Sequence, residues 1–226
     1  MKYRKMGNKI NWEVSALGFG AMRLPTLEVE EDGKKKTVID EKQSIEMIRY
    51  AIDNGCNYVD TAWMYMNGKS EELVGKALQD GYREKVHLVT KLPIGQGVVQ
   101  KEEDFNRILD TQLKRLQTEY LDIYHLHGLG RPSFEKVKQL NIMEKMEQAK
   151  ADGKIKHIGF SFHDSVNMFK KIIDYYDWDA CQVQFNYIDV DFQAGIEGVR
   201  YAAEKGIAVI VMEPLREENS LLMKKI

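Results

Sequence analysis

The feature that most constrains this chain is an alternation that repeats along its length. Short runs of β-branched and apolar residues are each followed by a longer segment with apolar residues at helical intervals. Candidate strands cover residues 16–22, 58–62, 86–92, 120–127, 156–161, 180–185 and 208–212, and candidate helices lie between them at 41–54, 70–80, 102–117, 134–151, 164–176 and 192–205. In the third of these helices Phe105, Ile108, Leu109, Leu113 and Leu116 form one stripe, leaving Lys114 and Arg115 outside it. Gly55, Gly153 and Gly206 each stand just past a helical stretch, where a left-handed cap is needed before the next strand. Strand–helix units in this order predict an α/β fold with a parallel sheet. The expected type is a (β/α)8 barrel with about seven units present and the last strand and helices missing, because barrels of this kind are built from units of roughly thirty residues. A chain of 226 residues, 43% apolar, has the size and core of one such domain over residues 1–226. The first twelve residues read as a short hairpin closing the barrel bottom, and Lys34-Lys35-Lys36-Thr37 as a charged loop before the first helix.

Lysines and arginines number 33 against 35 acidic residues, a net charge of -2, so no overall field draws the chain to nucleic acid or anionic lipid. A small-molecule partner is expected instead. Cys56 and Cys181 are too few for a disulfide framework and have no zinc-like spacing, which fits a reducing cytoplasm. The amino terminus is charged with no apolar stretch behind it. The longest strongly apolar run, residues 207–212, falls far short of the ~20 residues that cross a bilayer, so no membrane association is expected.

Barrels of this type carry their reactive side chains at the carboxyl ends of the strands. Asp60 ends the second candidate strand, Tyr65 follows in the next loop, Lys91 ends the third and His127 the fourth. Singly, each has an ordinary explanation: a turn cap, a packed tyrosine, a surface lysine, a satisfied interior histidine. Their coincidence at three successive strand ends points to chemistry.

In residues as well as in layout the sequence resembles the aldo-keto reductase family. The resemblance rests on Asp60-Thr61-Ala62-Trp63-Met64-Tyr65 running into Gly68-Lys69-Ser70-Glu71, on Thr90-Lys91-Leu92-Pro93, and on Asp122-Ile123-Tyr124-His125-Leu126-His127. It continues through Ile158-Gly159-Phe160-Ser161, Gln182-Val183-Gln184-Phe185-Asn186-Tyr187 and Glu213-Pro214-Leu215. Phe162-His163 after the serine resembles a bacterial subgroup whose members often carry a cysteine-rich iron-sulfur tail. Neither cysteine here is placed for such a cluster, so none is expected.

The resemblance implies NAD- or NADP-dependent reduction of an aldehyde or ketone. Hydride delivery to a carbonyl needs a proton for the oxygen, and an unperturbed tyrosine, with a pKa of about 10, gives it up reluctantly. A neighbouring ammonium lowers that pKa, and a carboxylate holds the ammonium in place. Tyr65 is thus expected to donate the proton with its pKa lowered by Lys91, Asp60 to fix the lysine, and His127 to hydrogen-bond the carbonyl oxygen. For the cofactor the resemblance implies Ser161 and Gln182 on the carboxamide. The resemblance also puts Met212 where an aromatic ring usually stacks, and implies Gly20, Ala21, Met22, Pro214 and Leu215 around the nucleotide. Trp63 and His163 are expected to line the substrate pocket.

After Leu215 the family pattern would continue through a glycine-rich loop, whereas this chain runs through the polar residues 216–226. That departure carries the expectation of a truncated barrel, weakened or lost cofactor binding, and self-association through open sheet edges. Two further readings stay open: a remnant that binds nucleotide or a protein partner without turnover, and a metal-dependent hydrolase using His125, His127 and His163. Against the metal stand the scarcity of carboxylates at later strand ends, Glu213 aside, and the charge of Lys91.

Overall fold

A computed structural model of the chain describes residues 1–215; the departure at residues 216–226 lies outside the described residues. The chain opens with an antiparallel hairpin of β1 (Tyr3–Lys5) and β2 (Glu13–Ser15). β3 (Phe19–Gly20) follows, and a second hairpin, β4 (Thr26–Glu31) with β5 (Lys34–Ile39), precedes helix α1 (Glu41–Asp53). Strands and helices then alternate: β6 (Tyr58–Asp60), α2 (Ser70–Ala77), β7 (His87–Leu92), α3 (Asp104–Leu116) and β8 (Leu121–Leu129). The paired helices α4 (Arg131–Gln139) and α5 (Ile142–Ala151) lead to β9 (Ile155–Phe162), α6 (Val166–Tyr175), β10 (Ala180–Gln184), α7 (Gly195–Glu204) and β11 (Ala208–Met212).

Seven strands, β3 and β6 to β11, form one parallel sheet in chain order, so every predicted strand is present. The sheet curls on itself as in a (β/α)8 barrel. Tyr58, Val89, Ile123, Ala180 and Ala208, from five strands, pack into one interior cluster. Met6 and Ile10 of the first hairpin plug that cluster from the amino-terminal end of the strands, and Trp12 beside them stacks on His87 with ring centroids 3.9 Å apart. The helices cover the outside: Leu73, Ile108, Met146 and Phe169, one each from α2, α3, α5 and α6, are buried on the sheet. Among the described residues no strand joins β3 to β11, and these two edges flank a cleft.

Local chemistry explains most boundaries. Asp40 caps α1 by accepting from Gln43 N at 2.9 Å, and Gly55, Gly153 and Gly206 take the left-handed conformation expected of them. Two expectations need correction. Residues 134–151 are two helices, because Asn141 adopts φ 49° and breaks the run, a conformation asparagine tolerates better than most residues. The lysine-rich stretch at residues 34–37 is a strand. Asp32 and Gly33, both at positive φ, make a two-residue hairpin turn, and Lys35–Glu28 and Lys36–Glu31 pair across it at 3.3 and 2.8 Å.

Candidate active site

The ends of β6 and β7 are neighbours, with Asp60 opposite Val89, so Lys91 extends one step past Asp60 on the same interior face. Its side chain is wholly buried. A buried ammonium is costly unless its protons are satisfied, and here Nζ donates to Asp60 Oδ1 at 2.6 Å, to Thr61 O at 2.8 Å and to Tyr65 OH at 3.4 Å. Burial pulls the ammonium's pKa down, but the Asp60 carboxylate and Tyr65 more than offset this, and it stands above its ordinary value.

Tyr65 sits in a tight turn, Tyr65–Gly68, in which Met66, Asn67 and Gly68 all have positive φ. Methionine rarely adopts that conformation, and the packing of Met66 against the core holds it there. The expectation that Lys91 leaves the phenol with a lowered pKa is corrected by the geometry. Burial raises it, Lys91 lowers it, Asp60 raises it again, and the balance lies above the ordinary value. Desolvation of a phenolate outweighs one ammonium at 3.4 Å.

His127 meets the Tyr65 ring edge-on, centroids 5.9 Å apart, with Gln96 Nε2 3.1 Å from its Nδ1. Burial, Lys91 and His163 push its pKa down to about 3, so the imidazole is neutral near neutrality. His125, one layer deeper, is wholly buried and also falls to about 3, through burial and Lys91. On the far side Gln182 donates from Nε2 to Asp60 Oδ2 at 3.3 Å, while its Oε1 is buried without a hydrogen-bond partner. Ser161 Oγ accepts from Gly128 N at 2.8 Å.

The cleft between β3 and β11 has a volume of about 530 Å³, within the range of small-molecule sites. Asp60, Tyr65, Gly20, Met22, Gln182, Met212 and Pro214 line it together. Seven expected residues are not part of this lining: Lys91, His127 and Ser161, described above, with Ala21, Leu215, Trp63 and His163. Ala21 is buried in the core and gives its carbonyl to Ser70 Oγ at 2.8 Å. Leu215 is exposed away from the lining. Trp63 packs on the core with the Arg115 guanidinium 4.0 Å from its ring centre, because α3 lies against the turn that carries it. His163 is exposed beside His127. Among the described residues no group of three or more His, Cys, Asp and Glu side chains is placed to hold a metal ion.

Sequence reasoning missed Gln96, four residues past β7 and so at the strand end where reactive loops gather. It also missed Tyr58, whose hydroxyl is buried without a partner below Asp60 and whose pKa burial and Asp60 raise.

The sequence matches the model of the Aldo/keto reductase family over residues 16–225. A Glycine max protein described as a probable aldo-keto reductase 1 is 31% identical over 219 residues, 93% of this chain and 58% of that protein. The aldo-keto reductase yakc [NADP(+)] of Schizosaccharomyces pombe is 29% identical over 222 residues, 94% of this chain and 60% of its own. The chain thus spans about three fifths of the length of these relatives. Among solved structures, an aldo-keto reductase of Bacillus halodurans in its holo form superposes with a TM-score of 0.74 at 29% identity, over 93% of this chain and 65% of that one. One from Klebsiella pneumoniae in complex with NADPH gives 0.71 at 27%, over 92% and 67%. No helix among the described residues is long and apolar enough to cross a membrane.

Proposed function

The chain belongs to the aldo/keto reductase family, and from that premise we propose that it reduces a small aldehyde or ketone with NADPH, Tyr65 giving the proton to the carbonyl oxygen. The observation that carries the reading is the buried Lys91 ammonium, bonded at once to Asp60 and Tyr65, both of which line the cleft. NADP(H) is preferred over NAD(H) because the printed descriptions of a relative and of a solved neighbour name it. The residues fit a nicotinamide: the unpartnered Gln182 Oε1 suits a carboxamide N–H, and Ser161, accepting from Gly128, keeps its own hydroxyl proton to donate. Met212 would pack on the ring, with Gly20, Met22 and Pro214 around it. Bound NADPH supplies the hydride.

The protein's own residues handle the proton. With its pKa raised, Tyr65 keeps its proton through the neutral range and holds it ready to transfer. Lys91 then stabilises the phenolate left behind, an effect greatest when the negative charge has formed. Neutral His127, held by Gln96, donates a hydrogen bond toward the same oxygen, and His163 stands beside it at the substrate end. We read residues 1–226 as one catalytic domain working in the cytoplasm, where its two free, buried cysteines stay reduced. The exposed edges β3 and β11, with Leu17 and Val211 open to solvent, are read as a route to self-association, which light scattering across a concentration series tests.

The deciding experiment is a fluorescence titration of the full chain with NADPH and NADH, followed by turnover of a simple aldehyde, repeated with Tyr65→Phe. NADPH binding, turnover, and its loss on substitution are expected. Turnover that survives Tyr65→Phe removes the proton-donor role. Binding of neither nucleotide would favour a partner-binding protein without turnover.

A further inference from the structure

Behind the lysine lies a buried polar network that the proposed chemistry does not use. Glu71, in the first turn of α2, is wholly buried. Its Oε1 accepts from Thr90 Oγ1 at 2.7 Å and from Gln112 Nε2 at 2.5 Å, and its Oε2 from Arg115 Nη1 at 3.1 Å. Gln112 Nε2 also lies 3.0 Å from the main-chain carbonyl of Lys91, while its Oε1 accepts from Tyr124 OH at 2.6 Å. The residue before it, Ser70, faces the other way, 2.8 Å from Thr61 Oγ1 and 2.8 Å from Ala21 O. One helical turn thus ties the ends of three successive strands, at Ala21, Thr61 and Thr90, and two of those ties flank the lysine. Thr61 also supplies the carbonyl that Lys91 Nζ bonds. Gly75 lets α2 approach α3 closely enough for this, since a Cβ there would collide with the Arg115 carbonyl. Arg115, paired with Glu71, covers Trp63 two residues before Tyr65.

The geometry points to Glu71 as a positioning residue for Lys91 and Tyr65: its carboxylate fixes Thr90 and Gln112, through which the lysine's backbone is held while Arg115 braces the tyrosine turn. The inference rests on the reductase reading for its consequence in turnover but not for its consequence in the phenol. A buried carboxylate that served only packing would need one cation. This one collects three donors, two of which lead to the strand that carries the lysine. Lys91 stands 3.4 Å from the phenol, so a small displacement weakens its hold on the phenolate.

The test follows Tyr65 itself. In the full chain labelled with carbon-13 at the tyrosine ring, the Tyr65 resonance is assigned by Tyr65→Phe and titrated in wild type and in Glu71→Gln. Removing a buried negative charge, by itself, lowers a phenol's pKa; loosening the ammonium raises it. Positioning therefore predicts an upward movement, accompanied by a fall in kcat on the order of tenfold with little change in KM. An unchanged or lowered phenol pKa overturns the proposal. If Glu71→Gln fails to unfold cooperatively, Thr90→Val is read for the same direction with a smaller expected movement, since it keeps the Glu71–Arg115 pair and cuts the direct Thr90 link to the strand while leaving the one through Gln112. The phenol titrates whether or not the enzyme turns over, so failure of the reductase reading, seen as turnover by Tyr65→Phe, is distinguishable from failure of this one.

Discussion

The middle of the sheet and its two edges are built under different rules. In β7, β8 and β9 nearly every side chain is buried, and the charged and hydroxyl groups nearest the site are held by partners: Lys91 by three acceptors, Ser161 by Gly128 N. At the edges, β3 is two residues long and β11 is half-open, with Leu17 65% and Val211 39% exposed. The groups proposed to transfer the proton stand on the overdetermined half, whereas the residues proposed for the nicotinamide lie largely along the underdetermined one. Precision is needed where a proton moves, and the first half can supply it without help.

The sharpest way to break that contrast is to remove the charge at its centre. Lys91→Met leaves Asp60 buried without its counter-ion and should destabilise the protein by about 3–5 kcal/mol, read from urea unfolding at neutral pH. Turnover should vanish. Adding Asp60→Asn should restore most of the stability and none of the activity. A single variant as stable as wild type would mean that the centre is not held by this pair.

A smaller effect separates the interior histidine from everything else. The pKa of His125 lies at about 3 in the folded chain against 6.5 ordinarily, so between those values the unfolded chain binds a proton that the folded chain refuses. Stability is therefore full above pH 6.5 and falls as the pH drops toward 3. His127 shares the direction, its pKa also at about 3. His125→Leu removes one of the two protons and should spare about 2 kcal/mol of the loss at about pH 5, measured by urea midpoints at both pH values. An unchanged acid slope would show that this imidazole is hydrated in the fold.

How much of this was legible depended on whether a residue's neighbours are close in sequence. The strand–helix alternation is local, and β11 has the bounds, residues 208–212, that its apolar run predicted. Asp60, Lys91 and His127 were legible as strand-end polar residues, and the structure gathers all three around Tyr65, through the Lys91 bonds to Asp60 and Tyr65 and the edge-on contact of His127. The β4–β5 hairpin was missed although its signals, Asp32-Gly33 and acid facing base across the turn, were in view, because lysine runs read first as solvated loop. Other misses needed the third dimension. Nothing in the sequence near Trp63 announces that Arg115, on another helix, covers its face. The direction of the Tyr65 shift depends on how dry the turn is, which no spacing encodes. Glu71 was visible only as part of a motif; its three donors come from β7 and α3.

The gentlest test compares one residue type on adjacent strands. Val183 and Val211 are register partners in β10 and β11, yet the first is 1% exposed and the second 39%. Truncating each to alanine removes the same atoms, so the difference reports what the edge lacks. At about 25 cal/mol for each Å² of apolar surface, with a cavity contribution added, Val183→Ala should cost about 2 kcal/mol. Val211→Ala should cost roughly a quarter of that, because water already reaches it. Urea midpoints at fixed protein concentration give both numbers. If Val211→Ala costs as much as Val183→Ala, the edge is covered in solution, and the dependence of that cost on protein concentration would show whether a second copy covers it.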